Sequence, residues 1–144
     1  MKIIQSFWSK PVLNTNHYAD FLRGGWLEKK FFLYSLTLRC LSLRKFHNQV
    51  ALITDQFGKY LLIDILQLPD TNVKVCLNQL DTYDTKLWAL GKVYAYRSQL
   101  TPFLHVDNDI YVYSKFDEHF YSSPLIAHNI DYNHPTYIEM MNFV

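Results

Sequence analysis

The sequence predicts an α/β domain, a Rossmann-like three-layer sandwich on a mostly parallel sheet. Three observations carry this reading. Short apolar, β-branched runs alternate with stretches of helical spacing in the order strand, helix, strand, helix, strand, helix, strand. The runs are continuous, as in Val50-Ala51-Leu52-Ile53-Thr54, which marks strands covered on both faces. A chain of 144 residues, 49% hydrophobic and 19% charged, suits one globular domain with one core.

Lys2 to Trp8 is the first strand. Pro11, Asn14, Asn16 and Gly24-Gly25 then break the chain into a long loop. From Leu27 to Phe46, Leu27, Phe31, Tyr34, Leu38 and Leu41 recur at steps of four and three, one face of a helix, widened by Phe32, Leu36 and Leu43. Glu28, Lys29, Lys30, Arg39, Arg44 and Lys45 fall mainly on the other side, so this face is expected to pack on the sheet. Asp55 ends the second strand and can cap the helix from Phe57 to Leu66, which Pro69 closes. Val73 to Leu77 is the third strand. Asp84 can cap a helix through Leu87, Trp88, Leu90, Gly91, Tyr94 and Ala95, stopped before Pro102. Phe103 to Val106 is the fourth strand. Ile110 to Tyr113 reads as a further short strand, Tyr121 to Ile130 as an edge strand, and Tyr137 to Val144 as a short helical tail.

The formal net charge of +1 offers no broad field to a nucleic-acid backbone or an anionic membrane, so nucleic acid is not an expected partner. No apolar run reaches the length of a membrane span. Met1 to Trp8 lacks the apolar core and cleavage site of a signal peptide, so a cytoplasmic location is expected. Cys40 and Cys76 read as two buried thiols in a reducing compartment.

In an open parallel sheet, ligands bind outside the carboxyl ends of the strands. The loop after Trp8, Asp55, and the pair Asp107 and Asp109 map to that edge. With 4 glycines and no glycine-rich phosphate loop, a diphosphate bound there would need a cation instead. Asp107 and Asp109 repel each other unless something positive lies between them. Mg²⁺ and Mn²⁺ favour such oxygen ligands together with phosphates. The bland readings stand beside this one. Asp107-Asn108-Asp109 is also a good turn sequence, Lys92 a solvated helix-face lysine, and His105 the maker of a structural hydrogen bond.

An Asp-x-Asp directly after a buried strand, in this order of elements, resembles the nucleotide-sugar-binding half of GT-A glycosyltransferases. Leu87-Trp88-Ala89-Leu90-Gly91-Lys92-Val93-Tyr94-Ala95-Tyr96 followed by Pro102 to Asp109 strengthens the resemblance, because a helix bearing Lys or Arg often precedes the motif there. Ile3 to Trp8 and the Trp88-to-Asp109 block are also similar to an uncharacterised bacterial family of glycosyltransferase-like proteins. The resemblance implies a single GT-A-like donor-binding domain over 1–144, with Mn²⁺ or Mg²⁺ as cofactor and a nucleotide-sugar as ligand. It implies that Asp109 binds the cation, that Asp107 contacts the ribose or shares the metal, and that Lys92 meets phosphate charge. Phe7, Trp8 and Asp55 would flank the nucleobase. The acceptor, a glycan, lipid or protein, has no matching half, so the chain looks truncated relative to the family. His119, His128 and His134 match no late metal ligand. The alternative from another class is a non-catalytic α/β module that binds a partner or oligomerises.

Overall fold

The computed structural model describes residues 1–14, 22–127, 135, 138 and 141–142. It is an α/β structure whose four strands are all parallel, in the order β3-β2-β1-β4. They are β1 (Lys2–Phe7), β2 (Val50–Thr54), β3 (Asn72–Val75) and β4 (Phe103–His105). The register pairs Ile3 with Val50 and Phe7 with Thr54 on one side of β1, and Ile4 with His105 on the other.

Alternation along the strands gives each face its own set of side chains. On one face, Phe7 and Leu52 pack on Phe32, Leu36 and Cys40 of α2 (Lys29–Phe46). Leu61 and Leu62 join them from a π-helical turn, Tyr60–Ile65, that continues α3 (Gln56–Lys59). Ile3 and Val50 continue this face against Leu43. On the opposite face, Ile53 and the adjoining Trp8 pack on Leu77, Leu80 and Ala95 of α4 (Leu90–Arg97). Helices therefore cover both faces. The chain steps outward from β1 to β2 to β3 over the α2 face, then returns past β1 to β4 over the α4 face. A single handedness for every crossover requires that change of face when the direction reverses. The reversal puts the switch point of the sheet between β1 and β4.

Helix α2 is rotated part-way from the expectation: Phe32, Leu36 and Leu43 of the expected face are buried, while its central stripe is not. Its buried residues are Phe32, Ser35, Leu36, Arg39, Cys40 and Leu43. The stripe expected to face the sheet is exposed: Leu27 by 80%, Phe31 by 39%, Tyr34 by 66%, Leu38 by 54% and Leu41 by 49%. The helix is apolar on two sides, so hydropathy alone leaves its rotation open. The inward rotation gives its polar residues partners in the segment after β4. Ser35 Oγ bonds Tyr111 Oη at 2.8 Å, Arg39 Nη1 donates to Asn108 Oδ1, and Ser42 Oγ accepts from Val112 N at 3.2 Å. These contacts also explain why Ile110 to Tyr113 is not a strand: this stretch is tied to a helix rather than to a sheet edge.

Other departures are local. A short helix, α1 (Lys10–Leu13), follows β1 at once with Pro11 in its first turn, where a missing N–H costs nothing. Strand β3 stops at Val75, and Leu77 opens a 3-10 turn, Leu77–Leu80, whose side chain is needed in the core. Asp84 does cap a turn, accepting from Lys86 N at 2.8 Å, but that turn is the separate 3-10 segment Thr85–Leu87. Tyr121 lies in a short helix, α5 (His119–Ser122), and residues 123–127 form no strand. Residues 128–130, and most of the stretch from 137 to 144, lie outside the described residues. Both cysteines are free thiols, Cys40 buried but Cys76 only half-buried. Burial pushes the Cys40 thiol up to about 12. No described helix is long and apolar enough to cross a membrane.

Candidate functional site

A cleft of about 1010 Å³ opens at the carboxyl end of β1, beside the segment that follows β4. It therefore lies at the switch point, where open α/β sheets bind ligands. Its volume is at the top of the usual range for small-molecule sites.

The cleft is built by β1 and α4 from one side and by α2 and the turn after β4 from the other. Strand β1 delivers Ser6 and Phe7, with Trp8 next in the chain. Phe7 is buried and its ring lies 6.2 Å from that of Phe32 on α2. Gly24, with φ of 52°, lies over Phe32 so closely that a Cβ there would stand 2.5 Å from ring atom Cε2. Behind Trp8 comes α4, whose Gly91 leaves no room for a side chain: a Cβ would stand 2.9 Å from Trp8 Cβ. That close approach brings the next residue, Lys92, to the cleft. All three tryptophans of the chain, Trp8, Trp26 and Trp88, line it. The lining is thus rich in aromatic surface.

Polar groups lie beside it. Lys92 Nζ lies 2.8 Å from Asp107 Oδ1 and 5.2 Å from the centre of the Trp88 ring. Both partners of the ion pair are partly exposed, so the pair orients the groups more than it stabilises the fold. His105 is anchored beneath. Its Nε2 is 3.0 Å from Ser6 Oγ, its Nδ1 is 3.1 Å from Tyr96 Oη, and Asp107 Oδ1 lies 3.6 Å from Nδ1. Burial lowers the imidazole to about 4, against the opposing pull of Asp107, so the ring is neutral near pH 7. With both nitrogens engaged it serves as a structural anchor.

Asp107, Asn108 and Asp109 all line the cleft. Asn108 Oδ1 is taken by Arg39, and its carbonyl accepts from Ser35 Oγ at 3.4 Å. Asp107 uses Oδ1 for Lys92, and Asp109 is exposed with no hydrogen bond or ion pair among the described residues. Two carboxylates therefore offer oxygens to the cleft, and no group of three or more metal-ligating side chains gathers among the described residues. This donor set fits Mg²⁺ or Mn²⁺, which take one or two carboxylates and complete their shell with phosphate and water. It does not make a closed protein cage.

Phe7, Trp8, Lys92, Asp107 and Asp109 thus come together in one cleft. Asp55 does not line it. Its Oδ2 accepts from Ser9 N at 2.6 Å and Ser9 Oγ at 2.7 Å, and its Oδ1 accepts from Gly58 N at 2.7 Å. Its role is to cap α3 and tie the end of β2 to the chain leaving β1. Of the candidate histidines, His119 is exposed on α5 away from the cleft lining, and His128 and His134 lie outside the described residues. Sequence reasoning missed Arg39, whose signal was a charge one turn from Ser35 and Leu43 within an otherwise apolar segment. No curated protein and no solved structure matches the chain. A family match spans residues 1–144, and the chain belongs to the family of unknown function DUF6734.

Proposed function

We propose that this protein binds the nucleoside diphosphate part of a nucleotide-sugar in a metal-dependent manner, as the donor site of a GT-A-like glycosyltransferase. The observation that carries the reading is convergence at the switch point. A carboxylate pair, an ammonium and the aromatic end of the central strand share one cleft. In glycosyl transfer the departing diphosphate gains negative charge, and fixed positive charge is worth most at that moment. Lys92 is the residue to meet a phosphate oxygen, held by Asp107 in the position it occupies. Asp107 Oδ2 and Asp109 would hold Mn²⁺ or Mg²⁺, which when bound supplies Lewis-acid stabilisation of the diphosphate. Trp8, Trp26 and Trp88 supply flat apolar surface for a base or a sugar ring.

Calorimetric titration of UDP and GDP, with and without Mn²⁺, tests the reading. At least one nucleotide is expected to bind only with Mn²⁺, and Asp109→Ala to weaken it about tenfold or more. Binding of neither nucleotide, or binding indifferent to both Mn²⁺ and Asp109, would refute it. Hydrolysis or transfer from the matching sugar nucleotide then separates an enzyme from a binding domain.

A second reading, a partner-binding or oligomerising module, is favoured by the exposed stripe on α2. Leu27, Phe31, Tyr34, Leu38 and Leu41 repeat at the four-three spacing of a helix-pairing seam. Light scattering across a concentration series, on the wild type and on Leu38→Glu with Leu41→Glu, tests it. A wild-type mass that stays monomeric counts against self-association.

A further inference from the structure

We infer that Arg39 is the positioning residue of this site, a buried guanidinium that acts on the ligand only through Asn108 and the carboxylates flanking it. Arg39 is 0% exposed, on the sheet-facing side of α2. It forms no ion pair within 4.0 Å among the described residues, and its Nε and Nη2 are buried without hydrogen-bond partners there. Among the described residues its guanidinium bonds only from Nη1 to the side chain of Asn108, the middle residue of the Asp107-Asn108-Asp109 turn. A cation held so deep cannot touch a ligand in the cleft. It can fix the residue between the two aspartates.

The bond does not stand alone. Ser35, Arg39 and Ser42 lie four and three residues apart, so they share one side of α2. Each grips the segment after β4: Ser35 at Asn108 O and Tyr111 Oη, Arg39 at Asn108 Oδ1, Ser42 at Val112 N. A turn in water rarely keeps two carboxylates in one arrangement, because each side chain is free to rotate away from the other. This polar rail removes that freedom for the backbone carrying them. The charge of Arg39 also attracts Asp107, one of the two carboxylates, as well as Asp70. The site is thereby organised before any ligand arrives, which lowers the ordering cost of binding.

The consequence for affinity rests on the donor-site reading above, whereas the consequence for the turn does not, and the experiment keeps them apart. Wild type, Arg39→Lys, Arg39→Met, Asn108→Ala and the Arg39→Met/Asn108→Ala double variant are compared by two measurements. The first is hydrogen exchange of peptides covering 107–112, with peptides from β1 and β2 as internal reference. Arg39→Met and Asn108→Ala are both expected to speed exchange in 107–112 and to leave the strands unchanged, with Arg39→Lys intermediate because one donor survives. The second is the affinity for UDP or GDP with Mn²⁺. Each single variant is expected to lose about tenfold, and the double variant to lose little more than the worse single one, because both break the same link. Unchanged exchange in 107–112 overturns the proposal. So do losses that multiply in the double variant, which would mean that Arg39 and Asn108 act separately. If no nucleotide binds the wild type, the donor-site reading fails while the exchange result still decides the positioning role. Should Arg39→Met not fold, Arg39→Lys replaces it in the cycle.

Discussion

Replacing Asp55 with alanine tests whether this residue is a structural tie or part of the ligand site. Its carboxylate is 3% exposed and accepts three hydrogen bonds, from Ser9 N, Ser9 Oγ and Gly58 N at 2.6, 2.7 and 2.7 Å. The Gly58 bond is a helix cap, worth about 1 kcal/mol. Bonds to a charged acceptor contribute roughly 1.5–3 kcal/mol each, and a buried donor left unpaired costs about 1–3 kcal/mol. The three share one carboxylate and the Ser9 hydroxyl can turn elsewhere, so they do not add fully. Asp55→Ala should therefore cost about 3–5 kcal/mol, and Asp55→Asn, which keeps one acceptor oxygen, about half of that. In a domain of this size each kcal/mol lowers Tm by roughly 2–4 °C, so Asp55→Ala should melt about 10 °C lower. Urea denaturation gives the free energies, with a constant slope as the check that unfolding stays cooperative. A loss below about 1 kcal/mol for Asp55→Ala would refute the tie. At a temperature where Asp55→Asn is folded, nucleotide affinity should stay near wild type. A tenfold loss there would return Asp55 to the ligand site.

Further outcomes follow from other buried groups. His105 titrates at about 4 when folded against 6.5 as its ordinary value, so the unfolded chain takes up its proton first as pH falls. Its contribution is fully present above pH 6.5 and lost between there and about pH 4, up to roughly 3 kcal/mol. Urea midpoints from pH 7 to pH 4 should fall more steeply for the wild type than for His105→Gln, and equal slopes would exclude this role. Leu36, 0% exposed, should cost about 2–5 kcal/mol on truncation to alanine. Leu38, 54% exposed, should cost under about 0.5 kcal/mol in the monomer; the reverse ranking would restore the rotation of α2 that hydropathy suggests. Arg39→Met should cost about 1–3 kcal/mol, because it leaves Asn108 Oδ1 without its donor and Asp70 without a neighbouring positive charge. A loss above about 5 kcal/mol in urea denaturation would mark Arg39 as a structural residue first.

The parallel sheet was legible because continuous apolar runs and helical spacing are set by burial, which composition records directly. Val50 to Thr54 is a strand at the residues its hydropathy marks. The cleft was legible in part for a similar reason: the carboxyl ends of parallel strands gather wherever the strands are, and the loop after Trp8, Asp107 and Asp109 were assigned to that edge by chain order, Lys92 only by resemblance. Side-chain pairing was not legible. Helix α2 has apolar residues at two rival sets of positions, and the choice between them depends on Ser35, Arg39 and Ser42 finding partners some seventy residues away. The tie between Asp55 and Ser9 was not legible for the same reason, since it joins residues 46 positions apart.

Buried polar atoms without partners among the described residues fall at two ends of the sheet: Arg44 Nε, His47 Nε2 and Asp70 Oδ1 near the starts of β2 and β3, and a second set nearer the cleft. Among the described residues, Gln5 is wholly buried with neither amide atom bonded, Arg39 has two nitrogens without partners, and the indole N–H of Trp8 is buried without an acceptor. Gln5 and Trp8 flank the carboxyl end of β1, and Arg39 reaches the turn beside it. A leucine at any of these positions would cost less to bury. The core elsewhere shows what the sequence does when packing alone decides: Leu36, Leu43, Leu52 and Leu62 fill the α2 face with no polar atom to satisfy. The set at the carboxyl end of β1 lies beside the cleft, where a site that needs charge and direction has a use for it. The cleft at the switch point is therefore the place to look for the activity, and the buried rail of α2 is the part of it that a search confined to exposed residues would pass over.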